Sequence, residues 1–141
     1  MRKRTQGREN ALKVMYQKEM TGEKADVALV RFFETQPKME KELRAFIEKL
    51  VEGVECGADE LDKRVEVVAE NWSMKRMAVL DRNILRMAVY EMTEMTETPP
   101  KVVINEAVNL AKKYSGENSG KFVNGILDKL MRKSPDTKPA A

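Results

Sequence analysis

The stretch Leu43-Arg44-Ala45-Phe46-Ile47-Glu48-Lys49-Leu50-Val51-Glu52-Gly53-Val54 decides the fold class. Its apolar residues Leu43, Phe46, Ile47, Leu50, Val51 and Val54 recur every three or four positions. That spacing gathers them on one face of an α-helix and leaves the charges on the other. A half-buried strand would alternate every second residue instead.

The same periodicity extends in both directions. Pro37 is expected to open this helix and Gly57 to end it. Upstream, a first helix is expected from near Thr5 to just before Gly22, with Ala11, Leu12, Met15 and Tyr16 inward. Asp26 is a candidate N-cap for a second helix carrying Val27, Val30 and Phe33. Downstream, Ala58, Leu61, Val65, Val68 and Trp72 mark a fourth helix. Ser73 is expected to cap the next element, from about Met74 to Met95, with a short turn before the main helix. Its inward residues are Met77, Leu80, Ile84, Leu85 and Ala88. Pro99-Pro100 forces a break. A sixth helix carries Ile104, Ala107, Val108, Ala111 and Tyr114 and ends at Ser115-Gly116. The last, capped near Asn118 or Ser119, carries Phe122, Val123, Ile126, Leu127 and Leu130. Strand patterns flanked by hairpin turns are absent, so the chain reads as an all-α domain of about seven helices. The tail after Lys133 reads as loose.

Composition narrows the function. A chain of 141 residues is long enough for one domain, and near this size roughly 68–70% of the unfolded surface becomes buried. Hydrophobic residues are 42% and charged residues 35%, which argues for a globule over a disordered chain. There is no His, which removes imidazole bases, nucleophilic triads that use His, and imidazole metal ligands. Cys56 is the only Cys, so no intrachain disulfide and no Cys-rich zinc site can form, as suits a reducing cytoplasm. Met1-Arg2-Lys3-Arg4 is basic, but the polar Thr5-Gln6-Gly7-Arg8-Glu9-Asn10 follows where a signal peptide would turn apolar. No apolar run approaches the roughly 20 residues of a membrane helix. Phosphate-binding loops, dinucleotide glycine patterns and calcium loops are absent. No catalytic residue, cofactor or metal is expected.

The net charge is only +3, so charge placement matters more than its sum. Arg2, Lys3, Arg4, Arg8, Lys13 and Lys18 face one acid, Glu9, in the first 18 residues. Such a cluster suits phosphates, or it is a solvated terminus. Tyr16 could stack on a base or simply pack. Asn118-Ser119-Gly120-Lys121-Phe122 could present a helix N-terminus, a hydroxyl and a cation to an anion, with Gly120 admitting a close backbone. It could equally be an ordinary cap above a core Phe. Asn124-Gly125 reads as structural: the glycine as a close helix contact, the amide as a bond to a nearby loop or helix end. Lys75, Arg76, Asp81, Arg82, Arg86 and Glu91 form a charged rim, either ion pairs or a docking surface.

Four stretches carry a family resemblance. They are Arg8-Glu9-Asn10-Ala11-Leu12-Lys13-Val14-Met15-Tyr16-Gln17, Asp81-Arg82-Asn83-Ile84-Leu85-Arg86-Met87-Ala88-Val89-Tyr90-Glu91, Val103-Ile104-Asn105-Glu106-Ala107-Val108-Asn109-Leu110-Ala111-Lys112-Lys113-Tyr114 and Ser119-Gly120-Lys121-Phe122-Val123-Asn124-Gly125-Ile126-Leu127-Asp128. In this order and spacing the chain resembles the NusB family of bacterial transcription antitermination factors over nearly its whole length. The resemblance implies seven helices in two packed bundles, about 1–57 and 58–133, acting as a single RNA-binding domain with a tail at 134–141. It also implies a non-catalytic factor that pairs with NusE, a small-subunit ribosomal protein. The pair would bind boxA, a short single-stranded RNA element. It would then help RNA polymerase pass terminators, notably in ribosomal RNA operons.

Carried over by position, the RNA contacts implied are Arg2, Lys3, Arg4, Arg8 and Tyr16, and then Asn118, Ser119, Lys121 and Phe122, the two groups meeting on one surface. The partner contacts implied are Arg76 and Asp81, with Arg82 and Glu91 tying helices together. Thr5-Gln6-Gly7 interrupts the arginine tip that many members carry. The related domain fused to RNA cytosine methyltransferases has a catalytic half for which a chain ending at Ala141 has no room. The alternative reading is a helical protein-interaction module without direct sequence-specific RNA binding. Monomer and homodimer both remain open.

Overall fold

Helices form wherever the three-four spacing runs, and several end at or near a glycine or proline, as at Gly22, Gly57 and Gly116. The structure is a computed structural model and describes residues 2–70 and 73–133. Its helices are α1 (Arg2–Thr21), α2 (Ala25–Glu34), α3 (Lys41–Cys56), α4 (Ala58–Val68), α5 (Val79–Glu94), α6 (Pro100–Ser115) and α7 (Glu117–Lys133), with a 3-10 turn at Met74–Arg76. Trp72 and the tail 134–141 lie outside the described residues. Pro100 occupies the first turn of α6, where a missing N–H costs no hydrogen bond. Gly116 alone separates α6 from α7. Its φ of +107° is open to glycine and strained for other residues. Its N–H donates back to the carbonyls of Ala111 and Lys112 at 3.1 and 3.2 Å, closing the end of α6.

The chain divides into two units, Met1–Gly57 and Ala58–Ala141. In the first, α1 packs on α2 and α3, and Leu12, Ile47, Leu50 and Val51 are fully buried. In the second, α6 packs along α7 and α5, and α4 lies against α5 and α7. Its core holds Val65, Ile84, Leu85, Val103, Val123 and Leu127. Arg86 joins α5 to α4 by two hydrogen bonds to Asp62, at 2.7 and 2.9 Å. Met74 N–H donates to the Glu66 carboxylate at 2.7 Å and ties the 3-10 turn to α4.

The two-pronged Arg86–Asp62 pair is half-buried, so removing one partner strands a charge with reduced access to water. Asp62→Ala is expected to cost about 1–3 kcal/mol in a urea melt, less than for a fully buried pair. A cost near zero would show that Arg86 finds other partners.

Several expectations are corrected. The first helix starts at Arg2, so the basic cluster is helical from its beginning. Tyr16 is 43% exposed, and Val14 takes the inward place. Asp26 is not the N-cap of α2: Lys24 is, and the Asp26 carboxylate accepts a hydrogen bond from Val27 N–H at 2.8 Å. Val27 and Val30 are 47% and 60% exposed, because Ala25, Ala28, Leu29 and Phe33 form the buried stripe instead. Pro37 sits in the turn before α3, which opens at Lys41. Ser73 does stand at the N-cap of the next element, as expected, though without a side-chain bond. Asn118 and Ser119 lie inside the first turn of α7, not at its cap. Leu43, Leu80, Val108, Tyr114, Phe122 and Leu130 are only partly covered.

The two glycines of α7 exchange roles relative to expectation. A Cβ on Gly120 would fall 2.7 Å from Lys112 Cγ, so Gly120 is where α6 comes close. Among the described residues a Cβ on Gly125 would meet nothing within 4 Å beyond its own helix, and Asn124 beside it is exposed. Packing therefore explains Gly120 and does not explain Gly125.

Candidate nucleic-acid interface

In the first unit the basic residues sit along the N-terminal turns of α1. Arg2 is part of α1. Lys3 is exposed and pairs with Glu40 at 2.6 Å. That hydrogen bond, followed by the attraction of the same carboxylate, raises the Lys3 pKa above 10.5. Arg4 and Arg8, one turn apart, both lie over the ring of Phe46, at 4.8 and 5.5 Å from its centre. The guanidinium charge is attracted to the ring face. Gly7 makes this possible: a Cβ there would fall 2.5 Å from Phe46 Cδ2. Its place in the arginine tip is thus a packing requirement between α1 and α3.

The environments of these cations differ. Arg4 is partly exposed, whereas Arg8 is 3% exposed and therefore not presented to solvent as the sequence reading expects. Tyr16, two turns along α1 from Arg8, offers a solvent-facing ring. The sequence reading missed Phe46 as the platform for both arginines. The signal was the Arg4–Arg8 spacing with a glycine inside it, opposite an aromatic on the next amphipathic stripe.

In the second unit the first turn of α7 meets the start of α5. A cavity of about 350 Å³ is lined by Arg76, Met77, Asp81, Asn118, Ser119 and Phe122. Residues expected to serve partner (Arg76, Asp81) and RNA (Asn118, Ser119, Phe122) thus share one cavity. Lys121 is exposed on the same helix, outside that lining. The N–H groups of the first turn precede the first carbonyl available within the helix and so carry partial positive charge. Arg82 donates from Nη1 to the Met77 carbonyl at 3.0 Å, tying α5 to the turn before it. Glu91 is fully buried on α5.

Asp81 is 9% exposed. Its Oδ2 accepts a hydrogen bond from the Ser119 hydroxyl at 3.3 Å, while the covered Oδ1 accepts none from the described residues. Burial pushes its carboxyl above the ordinary 3.8, against a lowering by the Ser119 bond. A carboxyl whose folded pKa is raised binds its proton more tightly in the native state than in the unfolded chain. Stability therefore falls as pH rises from 3.8 through the folded value, and stays lower above it. Asp81→Asn is expected to raise the melting temperature at neutral pH and to give no gain below pH 3.8. An equal gain at both pH values would mean that ionisation is not the cause.

Among the described residues no group of three or more His, Cys, Asp and Glu side chains could hold a metal ion. No described helix is long and apolar enough to cross a membrane.

Comparison with known proteins supplies the class, that of transcription antitermination proteins. The chain is 45% identical over 136 residues to the transcription antitermination protein NusB of Anaeromyxobacter dehalogenans, covering 96% of this chain and 95% of that one. It is 42% identical to the same-named protein of Desulfitobacterium hafniense, with 88% and 84% covered. Residues 5–132 match the NusB family model. The chain belongs to the NusB family, whose members are non-catalytic factors that bind RNA with NusE. The fold agrees. NusB of T. maritima superposes with a TM-score of 0.87 at 32% identity, covering 98% of this chain and 97% of that one. The structure of antitermination factors NusB and NusE in complex with double-stranded RNA gives 0.85 at 30% identity, covering 94% and 98%.

Proposed function

We propose that this chain acts in the cytoplasm as an antitermination factor that binds single-stranded boxA RNA together with NusE, in nascent transcripts such as those of ribosomal RNA operons. The reading rests on family membership over residues 5–132. The solved relative in which NusB and NusE are in complex with double-stranded RNA supports NusE as partner and RNA as ligand class. The two units serve as one RNA-binding domain, and each makes its own contribution.

In the first unit, Arg2, Lys3 and Arg4 hold phosphates and Tyr16 stacks on an unpaired base. Arg8 supports them from beneath by fixing Phe46. In the second unit, Asn118 and Ser119 offer first-turn N–H groups and polar side chains, Lys121 adds charge, and the uncovered edge of Phe122 contacts a base. Arg76 and Asp81, on the same cavity, receive NusE. RNA and partner then lie on neighbouring residues of one cavity, and whatever factor NusE adds to RNA affinity, RNA adds to NusE affinity.

The functional test is readthrough in transcription reactions with RNA polymerase, NusE and a terminator downstream of boxA. Adding this chain should raise readthrough on the boxA template and leave a scrambled template unchanged. No difference between templates would reject the boxA assignment.

A further inference from the structure

The first unit carries a second surface, of opposite charge, between α2 and α3. α2 and α3 run antiparallel. Ala25 N–H donates to the Glu55 carboxylate at 2.8 Å at one end, and the Arg44 guanidinium lies 4.5 Å over the Phe33 ring at the other. Between them lies a groove of about 430 Å³ whose apolar lining is Leu29, Val30 and Phe33. Val27, one turn before Val30, leaves a further apolar side chain on the surface of the same helix.

The rim is acidic and uneven. Asp26, Glu48 and Glu52 line the groove toward the start of α2 and the later turns of α3, with no cation in the lining there. Glu34 and Arg44 share the other end. None of these four carboxylates forms a salt bridge with a described residue.

An apolar floor between two helices suits the apolar face of a third helix. A polyanion is repelled here, so the occupant is not RNA. Lysine and arginine can lay their stems on an apolar surface and reach carboxylates with their heads.

We propose that the α2–α3 groove is a docking site for a basic amphipathic helix of a protein partner, seated with apolar residues on Val30 and Leu29 and cations toward Asp26, Glu48 and Glu52. Because three acids gather at one end and Arg44 offsets the other, the site fixes direction as well as charge. Replacing Glu34 therefore matters little, and replacing Glu48 and Glu52 matters greatly.

The test uses the full chain and a fluorescein-labelled helical peptide with leucines at three-four spacing flanked by lysines. Two control peptides carry glutamates for the lysines, or serines for the leucines. Anisotropy is read on the wild type, Glu48→Lys/Glu52→Lys, Glu34→Lys and Val30→Ser, with RNA binding measured in parallel. The Lys-Leu peptide should bind the wild type and lose roughly tenfold in affinity on the double variant. It should lose several-fold on Val30→Ser and little on Glu34→Lys, with RNA binding intact in all three. If the double variant fails to fold, Glu52→Gln should still weaken the peptide.

Three results would overturn the proposal. One is equal binding of all three peptides, or equal loss from all three variants. A second is peptide binding that RNA displaces. The third is a wild-type dimer in sedimentation that Glu48→Lys/Glu52→Lys dissociates, which would make a second copy of this chain the occupant.

Discussion

Replacing Gly7 by valine is expected to lower stability by about 1–3 kcal/mol, the usual cost of forcing atoms into a filled contact. The first added carbon alone would fall 2.5 Å from Phe46 Cδ2, 2.9 Å from Cε2 and 3.1 Å from Leu43 Cδ1. A ring held between α1 and α3 cannot yield as a lysine tail can. Alanine should cost less, since it recovers about 1 kcal/mol of helix propensity. The contrasting variant is Gly125→Ala. Among the described residues nothing beyond its own helix lies within 4 Å of a Cβ there, so only propensity acts and stability should rise by about 1 kcal/mol. Urea melts of both variants check the pair. A neutral Gly7→Val would show that Phe46 moves aside and is not a fixed platform for Arg4 and Arg8.

Reversing Lys3 and Arg4 together to glutamate should carry the largest functional effect. Both lie on α1, with Lys3 exposed and Arg4 partly exposed, and neither contributes a buried core side chain. Each phosphate neutralised on a single strand contributes about −0.7 to the slope of log affinity against log salt. Losing two contacts should flatten that slope by about 1.4. At low salt, affinity should fall at least tenfold, because the reversed charges also repel. Arg8→Ala gives a different pattern. Its guanidinium is covered and lies on Phe46, so the melting temperature should drop while the salt slope of the folded protein changes little. Melts and anisotropy on both variants separate the two roles. The same slope for both would place Arg8 among the phosphate contacts after all.

Much of the architecture was legible in the spacing. Phe46, Ile47, Leu50, Val51 and Val54 are all buried, as their periodicity required. Gly57 and Gly116 stop their helices because little else in the sequence punctuates so strongly. Periodicity failed where two faces of a helix were both plausible. α2 offers Val27 and Val30 on one side and Ala25, Ala28 and Leu29 on another. Hydrophobicity favoured the valines, but small alanines allow closer helix approach, and the protein buries them instead. Residue type alone misplaces caps at Asp26, Asn118 and Ser119, all of which suit an N-cap, whereas Ser73 does occupy one, without a side-chain bond. Where a helix starts depends on what the preceding chain is doing. Charges were harder still. Arg8 resembles its neighbours in sequence, and only the position of Phe46 distinguishes a buried cation from an exposed one. Asp62 as the partner of Arg86, 24 residues away, gave no local signal.

Gly120 and Gly125 show the same limit. A glycine inside a helix says that something is unusual, not what. The close approach of Lys112 accounts for Gly120. No contact among the described residues accounts for Gly125.

BoxA recognition shared with NusE is directly measurable. Fluorescence anisotropy of a labelled boxA strand and a scrambled strand, titrated with this protein with and without NusE at two salt concentrations, tests it most directly. The expected result is a preference for boxA that tightens when NusE is present and persists at the higher salt. Equal, strongly salt-sensitive binding to both strands, unchanged by NusE, would contradict it and leave only a basic patch.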